Sequence, residues 1–133
     1  RTASHAFEGF NPTWDAKVLG GSYKGHGKDE KVEVSIVEQN KDHPILAGVS
    51  AWTRPGKLYK NAGNAKETVT LLGGKSANDQ QPLAWAHEYK LKDKAGRAFY
   101  TSMGYPHDFE NDNFKRLLVN AIQWVAGSAA KSK

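Results

Sequence analysis

One amphipathic helix near the C-terminal end constrains the fold of this chain more than any other segment. Its apolar residues recur at i, i+3, i+4, i+7, i+8 and i+11, the spacing of one helical face: Phe114, Leu117, Leu118, Ala121, Ile122 and Val125. Asn111 or Asp112 can cap its start, and Gly127 can end it. A single long helix cannot cover both faces of a parallel sheet, so the sequence indicates that part of such a fold is missing.

The remaining apolar segments are short and have the pattern of β-strands. The predicted strands are residues 32–36, 68–72, 83–89 and 98–103. The last two are joined by residues 92–96, which predicts an antiparallel hairpin of the kind found at the edge of a sheet. Gly73 and Gly74 are expected to end the second strand.

Three further segments are assigned from their glycines, prolines and capping residues. Residues 15–19 are predicted to form a short helix, with Thr13 as its N-cap and Gly20 as its stop. Residues 22–30 and 56–66 lack a clean period and are predicted to be loops.

Length and composition indicate one globular domain. The chain has 133 residues, of which 38% are hydrophobic and 25% charged. We expect the domain to occupy residues 1–127 and residues 128–133 to be a disordered tail. The longest apolar stretches fall far short of the ~20 residues needed to span a bilayer, which excludes a transmembrane helix. Arg1 opens the sequence without an initiator Met or a signal peptide, which suggests a cut or incomplete start.

Charge and cysteine content narrow the classes of function. The formal net charge is +5, but most lysines are spread among Asp and Glu. The nearest approach to a basic cluster is in the predicted hairpin turn and comprises Lys90, Lys92, Lys94 and Arg97. Solvated surface therefore explains the lysines better than a nucleic-acid partner does. The absence of cysteine excludes disulfides, zinc–cysteine sites and thiolate nucleophiles, and it leaves the cellular compartment open.

Three segments in order carry a resemblance to a known family. Residues 43–49 read H-P-I-L-A-G-V, residues 96–104 read G-R-A-F-Y-T-S-M-G, and the terminal helix contains L-L-V-N-A-I-Q-W. Together they resemble the ThuA-like (trehalose utilisation) family of the class I glutamine amidotransferase-like superfamily. The resemblance extends from Arg1 to about Gly127.

The resemblance implies an α/β fold in which helices flank a flavodoxin-like sheet. This chain would be the C-terminal portion of such a domain, with an antiparallel edge hairpin and a C-terminal helix. Its first residues would follow a central strand, at the turn where amidotransferases carry their nucleophile. The N-terminal strands would then be supplied by sequence upstream of Arg1 or by a neighbouring chain.

The residues present argue against amidotransferase chemistry. Such an enzyme attacks a carboxamide with a cysteine thiolate, which this chain lacks. Ser4 and His5 are a poor substitute, because adjacent side chains rarely face each other and no G-x-S-x-G surrounds Ser4. The family's D-E-L-Y stretch reads G-K-L-Y here, ending at Tyr59, which weakens a carboxylate base. The family's L-G-H becomes M-G-Y-P-H, which displaces the histidine to His107.

The resemblance places a set of polar residues near the carboxyl edge of the sheet, where open α/β folds bind ligands. These candidate ligand-binding residues are Ser4, His5, His26, Tyr59, Tyr105 and His107. For each histidine, the alternative is a capping or solvent-facing loop residue. His87 shares a strand face with Trp85 and Tyr89 and is interpreted as a core or surface histidine rather than a ligand-binding residue.

Two further roles were considered for these side chains: metal binding by the histidines and sugar contacts by the aromatic rings. His5, His26 and His107 lack the spacing of a metal motif, so neither a metal nor a cofactor is predicted. Trp14 and Trp52, like the candidate tyrosines, could present flat faces to a sugar ring, whereas Trp85 and Trp124 are assigned to the core.

Two functions from different classes follow. The first is binding of a carbohydrate or related polyol, with its chemical transformation left open. The second is a non-catalytic interaction or structural module of a larger protein or assembly, suggested by the missing cysteine and the lost acidic pair. The sequence identifies neither the sugar nor the reaction.

Overall fold

A computed structural model describes residues 14–62 and 66–127 of the chain. The strands are β1 (Ser22–His26), β2 (Glu30–Ile36), β3 (Trp52–Gly56), β4 (Tyr59–Ala62), β5 (Thr68–Lys75), β6 (Gln80–Leu91) and β7 (Lys94–Thr101). The α-helix, α1, spans Asp112–Val125. Shorter helical turns comprise a π-helical turn at Asp15–Leu19 and 3₁₀ turns at Glu38–Asn40, Pro44–Leu46 and Pro106–Glu110.

The strands of the described residues form two antiparallel sheets. Five of them make a sheet with the order β3-β2-β5-β6-β7, and β1 pairs with β4 in a separate two-stranded ribbon. The β6–β7 hairpin lies at one end of the larger sheet, so its prediction as an edge hairpin is confirmed. The parallel strands of a flavodoxin-like sheet are not among the strands described.

Different elements cover the two faces of the large sheet. Five consecutive β6 residues, Leu83 to His87, are buried, which requires cover on both sides. On one side, the Trp85 indole Nε1 donates a hydrogen bond to the Leu19 carbonyl at 2.6 Å, which attaches the π-helical turn to the sheet. On the other side, α1 packs through residues such as Phe114 against Ala84 and Ala86.

The terminal helix forms as its sequence predicts. Asn111 is the N-cap, and its side chain accepts hydrogen bonds from the Asn113 and Phe114 amides. Within α1, Asn120 Nδ2 donates to the carbonyls of Ile45 at 3.0 Å and Ala47 at 2.9 Å, which fixes the helix against the Pro44–Leu46 turn.

The buried face of α1 is narrower than the predicted stripe. Phe114, Leu117 and Ala121 are buried, but Ile122 is 69% exposed and Val125 43% exposed. Trp124, predicted to be a core residue, is only half-buried. Helical periodicity identifies an apolar face, but the width of the covered part depends on what packs against it.

Two predicted loops are strands in the structure. Part of the segment 22–30 forms β1, and part of the segment 56–66 forms β4. Both strands are short, and β1 contains a glycine, so neither has a recognisable period of two. The sequence interpretation also left β3 unassigned.

Gly73 and Gly74 do not end β5, which runs on to Lys75. The reason is close packing, because a Cβ at Gly74 would lie 2.7 Å from Leu83 and 2.8 Å from Leu58. Glycine is needed there to let two leucines approach the strand, rather than to turn the chain.

Two expectations about the chain ends lie outside the described residues: the Thr13 cap and the tail at 128–133. Within the described part, no helix combines the length and the apolar character required to cross a bilayer.

Candidate ligand-binding site

Three rings on the β1–β4 ribbon form what we call the aromatic cluster: Tyr23, His26 and Tyr59. The ring centroids are 6.2 Å apart for Tyr23 and His26, 5.6 Å for Tyr23 and Tyr59, and 5.5 Å for His26 and Tyr59. His26 is exposed and the two tyrosines are half-buried. The cluster therefore offers ring faces and polar atoms to an approaching ligand.

A β-bulge in β1 brings Tyr23 and His26 together. In a regular strand, residues three apart point to opposite faces. Here the register shifts between Tyr23 and Gly25, which pair with Asn61 and Lys60. The inserted residue turns His26 to the Tyr23 side, and the Tyr23 hydroxyl lies 2.6 Å from His26 Nδ1. Gly25 permits this bend with a φ of 137°.

The Tyr23–His26 hydrogen bond determines what His26 can offer a ligand. The phenol can donate or accept, so the direction of this hydrogen bond follows the imidazole tautomer. When Tyr23 donates, Nδ1 accepts and the imidazole proton is on Nε2. In that tautomer, Nε2 is a donor suited to a hydroxyl or carbonyl oxygen. The imidazole is held in place by its hydrogen bond and by the two neighbouring rings.

Close to the aromatic cluster, Asn61 forms a side-chain hydrogen bond with the buried Tyr100. The buried Ser102 Oγ, further along the chain, has no hydrogen bond among the described residues. Tyr100 is 4% exposed and stacks on Trp85 with 3.8 Å between ring centroids. Burial raises the pKa of Tyr100 to about 12, with Asn61 acting in the opposite direction and Tyr59 and Tyr23 adding to the rise. The phenol therefore remains protonated, as a hydrogen-bond donor, at neutral pH.

Tyr105 and His107 belong to a second group, built around a buried ion pair. Arg54 Nε and Nη2 donate to the two carboxylate oxygens of Asp108 at 2.6 and 2.8 Å. The Arg54 guanidinium lies 5.5 Å from the centre of the Tyr105 ring, which stacks on His107 at 5.6 Å. His107 Nε2 lies 3.0 Å from the Pro55 carbonyl.

The Asp108 carboxylate is stabilised in its charged form. Burial alone would raise its pKa, but the Arg54 hydrogen bonds, the Arg54 charge and the backbone amides of Gly104 and Tyr105 lower it below the ordinary value. The pair joins β3 to the Pro106–Glu110 turn, so its first role is structural.

The two groups lie at neighbouring positions of the chain. His107 is held at Pro55, and Tyr59 follows four residues later. Four residues span at most about 14 Å when fully extended.

The other predicted residues have different outcomes. Ser4 and His5 lie outside the described residues, and their role remains a prediction. His87, interpreted from the sequence as a core or surface histidine, is a core residue: it is 3% exposed, and its Nε2 lies 3.0 Å from the Lys17 carbonyl. Trp52 is half-buried and packs against the hydrophobic core, and Trp14 is half-buried before the π-helical turn.

No three metal-binding side chains converge within residues 14–62 and 66–127.

A groove of about 1690 Å³ lies elsewhere, at the hairpin end of the large sheet. Lys17, Arg97, Glu67 and Glu88 are among the residues that line it. Its lining therefore carries charges of both signs, and none of His26, Tyr59, Tyr105 and His107 borders it. The aromatic cluster is the stronger candidate, because rings and polar groups converge there.

Sequence reasoning missed Tyr23, Asn61, Tyr100 and Ser102. Tyr23 and Asn61 were hidden in segments interpreted as loops, and Tyr100 was assigned only to a β-rich run. The G-H-G sequence around His26 was the one local signal, because a glycine before a candidate ligand residue is typical of a bulge.

Comparison with known proteins agrees with this architecture. The profile of the ThuA family, described as trehalose utilisation, matches residues 2–125. A crystal structure of a ThuA-like protein from Bacteroides uniformis ATCC 8492 matches with a TM-score of 0.64 at 21% identity, over 91% of this chain and 54% of that one. The chain thus spans about half the length of that protein, and at this identity the match shows the fold alone. No curated protein shows significant similarity to the chain.

Proposed function

Because the chain belongs to the ThuA trehalose-utilisation family, we propose that it binds a carbohydrate or related polyol at the aromatic cluster. The observation that carries the proposal is the convergence of Tyr23, His26 and Tyr59, whose ring centroids lie 5.5–6.2 Å apart. Sugar rings present C–H faces that pack on aromatic rings, while their hydroxyls need donors and acceptors at the ring edges. The cluster supplies both.

The second group extends the proposed site. Tyr105 is half-buried, and His107 is 38% exposed on the side chain, so both can contact a ligand that passes Tyr59. Ser4 and His5 complete the proposed contacts through the family resemblance. If the bound sugar is transformed, His26 is the proposed proton-transfer group, because an imidazole can accept and donate protons near neutral pH.

A calorimetric screen of neutral sugars tests the proposal. The 133-residue chain is titrated with trehalose, glucose and sorbitol, together with the variants His26→Ala and Tyr59→Ala. We expect saturable binding to the wild type and roughly tenfold weaker binding to each variant. Lys60→Ala is the matched control, because Lys60 is exposed beside Tyr59 on β4 and should bind as the wild type does. Absence of saturable binding to every sugar would contradict the proposal.

An exposed apolar surface favours the second candidate function, a module of a larger assembly. Val119 is 53% exposed, Ile122 69% and Val125 43%, all on α1. Among the described strands of the larger sheet, the end strands β3 and β7 each have a partner on one side only. We propose that parallel strands of a flavodoxin-like sheet, from upstream sequence or a neighbouring chain, cover this surface. The match to about half of the ThuA-like protein supports this reading.

The variant Ile122→Lys tests whether this surface is covered within the chain. If it faces solvent until further strands cover it, the substitution leaves the free energy of unfolding within about 0.5 kcal/mol of the wild type and lowers binding of a hydrophobic dye. Leu117→Ala is the buried control from the same helix and should cost about 2–5 kcal/mol. An equal loss for both variants would place Ile122 in a closed core and overturn the proposal.

A further inference from the structure

The β6–β7 hairpin extends beyond the end of the neighbouring strand β5. Pairing between β5 and β6 ends at Thr68 and His87, whereas β6 continues to Leu91. On the side that faces away from β7, residues 88–91 therefore have no strand partner within the described part of the chain. Alternate residues of an antiparallel strand turn their N–H and C=O groups to opposite sides. Half of these residues thus present backbone donors and acceptors at a free strand edge.

This free edge lies in the groove at the hairpin end of the large sheet. All of residues 88–91 line the groove, and so does Glu67, which comes directly before β5. The groove volume of about 1690 Å³ exceeds the roughly 300–1,000 Å³ that is usual for small-molecule pockets. Its size and its free strand edge therefore favour a segment of extended polypeptide over a single small molecule.

The groove has a wall on each face of the sheet, and side chains of the hairpin strands fix both walls. On the side of the π-helical turn, His87 Nε2 lies 3.0 Å from the carbonyl of Lys17. On the side of α1, Arg97 Nη1 donates to the Trp124 carbonyl at 3.1 Å, and the guanidinium lies 4.9 Å from the centre of the Trp124 ring. The two walls are thus attached to the strands that supply the free edge.

The unpaired charges of the groove are mostly positive. Three lysines line it and form no ion pair within the described part of the chain: Lys17, Lys90 and Lys92. Arg97 is paired with Glu88 at 3.1 Å, so Glu67 alone offsets the lysines among the lining residues. This excess attracts an acidic partner. It opposes docking of a second copy of this chain, whose own net charge is +5.

Exposed apolar side chains in the same groove favour a peptide over a nucleic acid. Leu91 is 42% exposed and Val125 is 43% exposed, and both line the groove. A peptide with acidic and β-branched residues covers these side chains and also neutralises the lysines. A phosphate backbone would leave them uncovered and bring its charges close to Glu67 and Glu88.

We propose that the groove is a docking site for an extended, acidic peptide segment of a partner protein, which adds as a strand to the free edge of β6 at residues 88–91. Main-chain hydrogen bonds supply the affinity of this binding mode, and the lysines select acidic side chains. The inference goes beyond the proposed sugar site and does not depend on it, because Tyr23, His26 and Tyr59 lie outside the groove lining.

A fluorescence-anisotropy titration of the 133-residue chain tests the docking site. The probe is a short labelled peptide of alternating glutamate and valine with blocked ends. We expect saturable binding to the wild type and roughly tenfold weaker binding to Lys90→Glu, which reverses a charge inside the groove. Lys94→Glu is the matched control, because it makes the same change on the same hairpin but outside the groove lining. Lys17→Glu repeats the test on the opposite wall if Lys90→Glu folds poorly.

Two altered peptides test the mode of binding. Proline in place of valine removes N–H groups that strand pairing requires, and lysine in place of glutamate reverses the charge, so both peptides should lose binding. The original peptide should also slow amide hydrogen exchange at residues 88–91.

Several results would overturn the docking site while leaving the sugar proposal intact. These are no binding of the glutamate–valine peptide, equal binding of the proline peptide, equal affinity of Lys90→Glu and Lys94→Glu, or unchanged exchange at residues 88–91. Tighter binding of a short oligothymidylate than of the acidic peptide would assign the groove to nucleic acid and overturn the proposal as well.

Discussion

The Arg54–Asp108 ion pair lies where the candidate site meets the core. Its side chains are 3% and 1% exposed, and it holds the Pro106–Glu110 turn, with Tyr105 and His107, against the end of β3. Charges buried to this extent stabilise a fold only while both partners are present, because an unpaired buried charge has lost its hydration. The position of Tyr105 and His107 therefore depends on this pair.

Breaking the pair should be strongly destabilising. Asp108→Asn leaves the Arg54 charge buried without its counter-ion, and we expect a loss of about 3–5 kcal/mol in the free energy of unfolding, measured in urea. The double variant Arg54→Met with Asp108→Asn removes the orphaned charge, and its loss should be smaller than that of Asp108→Asn alone. An additive or larger loss in the double variant would contradict this account.

The same carboxylate should make stability depend on pH. The pKa of Asp108 is lower in the folded chain than in the unfolded chain, where an aspartate titrates near 3.9. Its contribution is therefore fully present above about pH 4 and is lost as the pH falls through the folded pKa. Urea unfolding between pH 6 and pH 3 should show a steeper acid loss for the wild type than for Asp108→Asn. Parallel pH profiles would rule out this source of acid sensitivity.

At the scale of the element, the β1 bulge determines whether the aromatic cluster exists. Without the inserted residue, His26 would point away from Tyr23, and the 2.6 Å contact would be lost. The bend depends on the backbone of Gly25, whose φ of 137° is rarely adopted by other residues. Open space surrounds the place where a Cβ would lie. The constraint at this position is thus conformational and not steric crowding.

Gly25→Ala should therefore damage the site without any clash. We expect a loss of about 1–3 kcal/mol in stability, or a local change that separates Tyr23 from His26 and weakens sugar binding. Gly27→Ala is the control, because a Cβ there would lie 3.9 Å from the Leu58 carbonyl, an ordinary contact. Urea unfolding and calorimetry measure both effects. Equal behaviour of the two variants would show that the bulge tolerates a side chain.

The N-cap of α1 offers a second test at this scale. Asn111→Ala removes the acceptor of the Asn113 and Phe114 amides, which lie at 2.9 and 3.2 Å. We expect a loss of about 1 kcal/mol in the free energy of unfolding, since two amides of the first helical turn lose their partner. Asn111→Asp keeps the acceptor and should retain most of the stability. If Asp fails to restore it, the cap is not the cause.

For the whole molecule, the missing thiol separates this chain from cysteine-dependent amidotransferases. The sequence contains no cysteine anywhere in its 133 residues. The chain belongs to the ThuA family, but without a cysteine it cannot carry out thiolate chemistry. What the described residues assemble instead is a set of rings, hydroxyls and an imidazole.

Alkylation checks this prediction. Treatment with iodoacetamide at neutral pH should leave sugar binding unchanged, and the chain should show no glutaminase activity, because no thiolate is present to react. Calorimetry before and after treatment measures the first, and ammonia release from glutamine measures the second. Time-dependent loss of binding would point to another reactive side chain, with His26 the first to examine by mass spectrometry.

Local patterns in the sequence determined a large part of this protein. The alternation in β2, the β6–β7 hairpin and the capped helix α1 all follow from periods and caps that extend over a few residues. The family resemblance depended on similarly local motifs. These features can be predicted from the sequence because their physical causes lie within one helical turn or one strand.

The tertiary structure alone decided the rest. Strands β1 and β4 pair across more than thirty residues of sequence, and neither has a period that reveals it. Arg54 and Asp108 are 54 residues apart, and the interacting side chains of Asn61 and Tyr100 come from different sheets. Even in α1, the exposure of Ile122 depends on what lies opposite and not on the helix itself. Partner choice among distant segments is set by the packing of the whole chain, and no local pattern in this sequence encodes it.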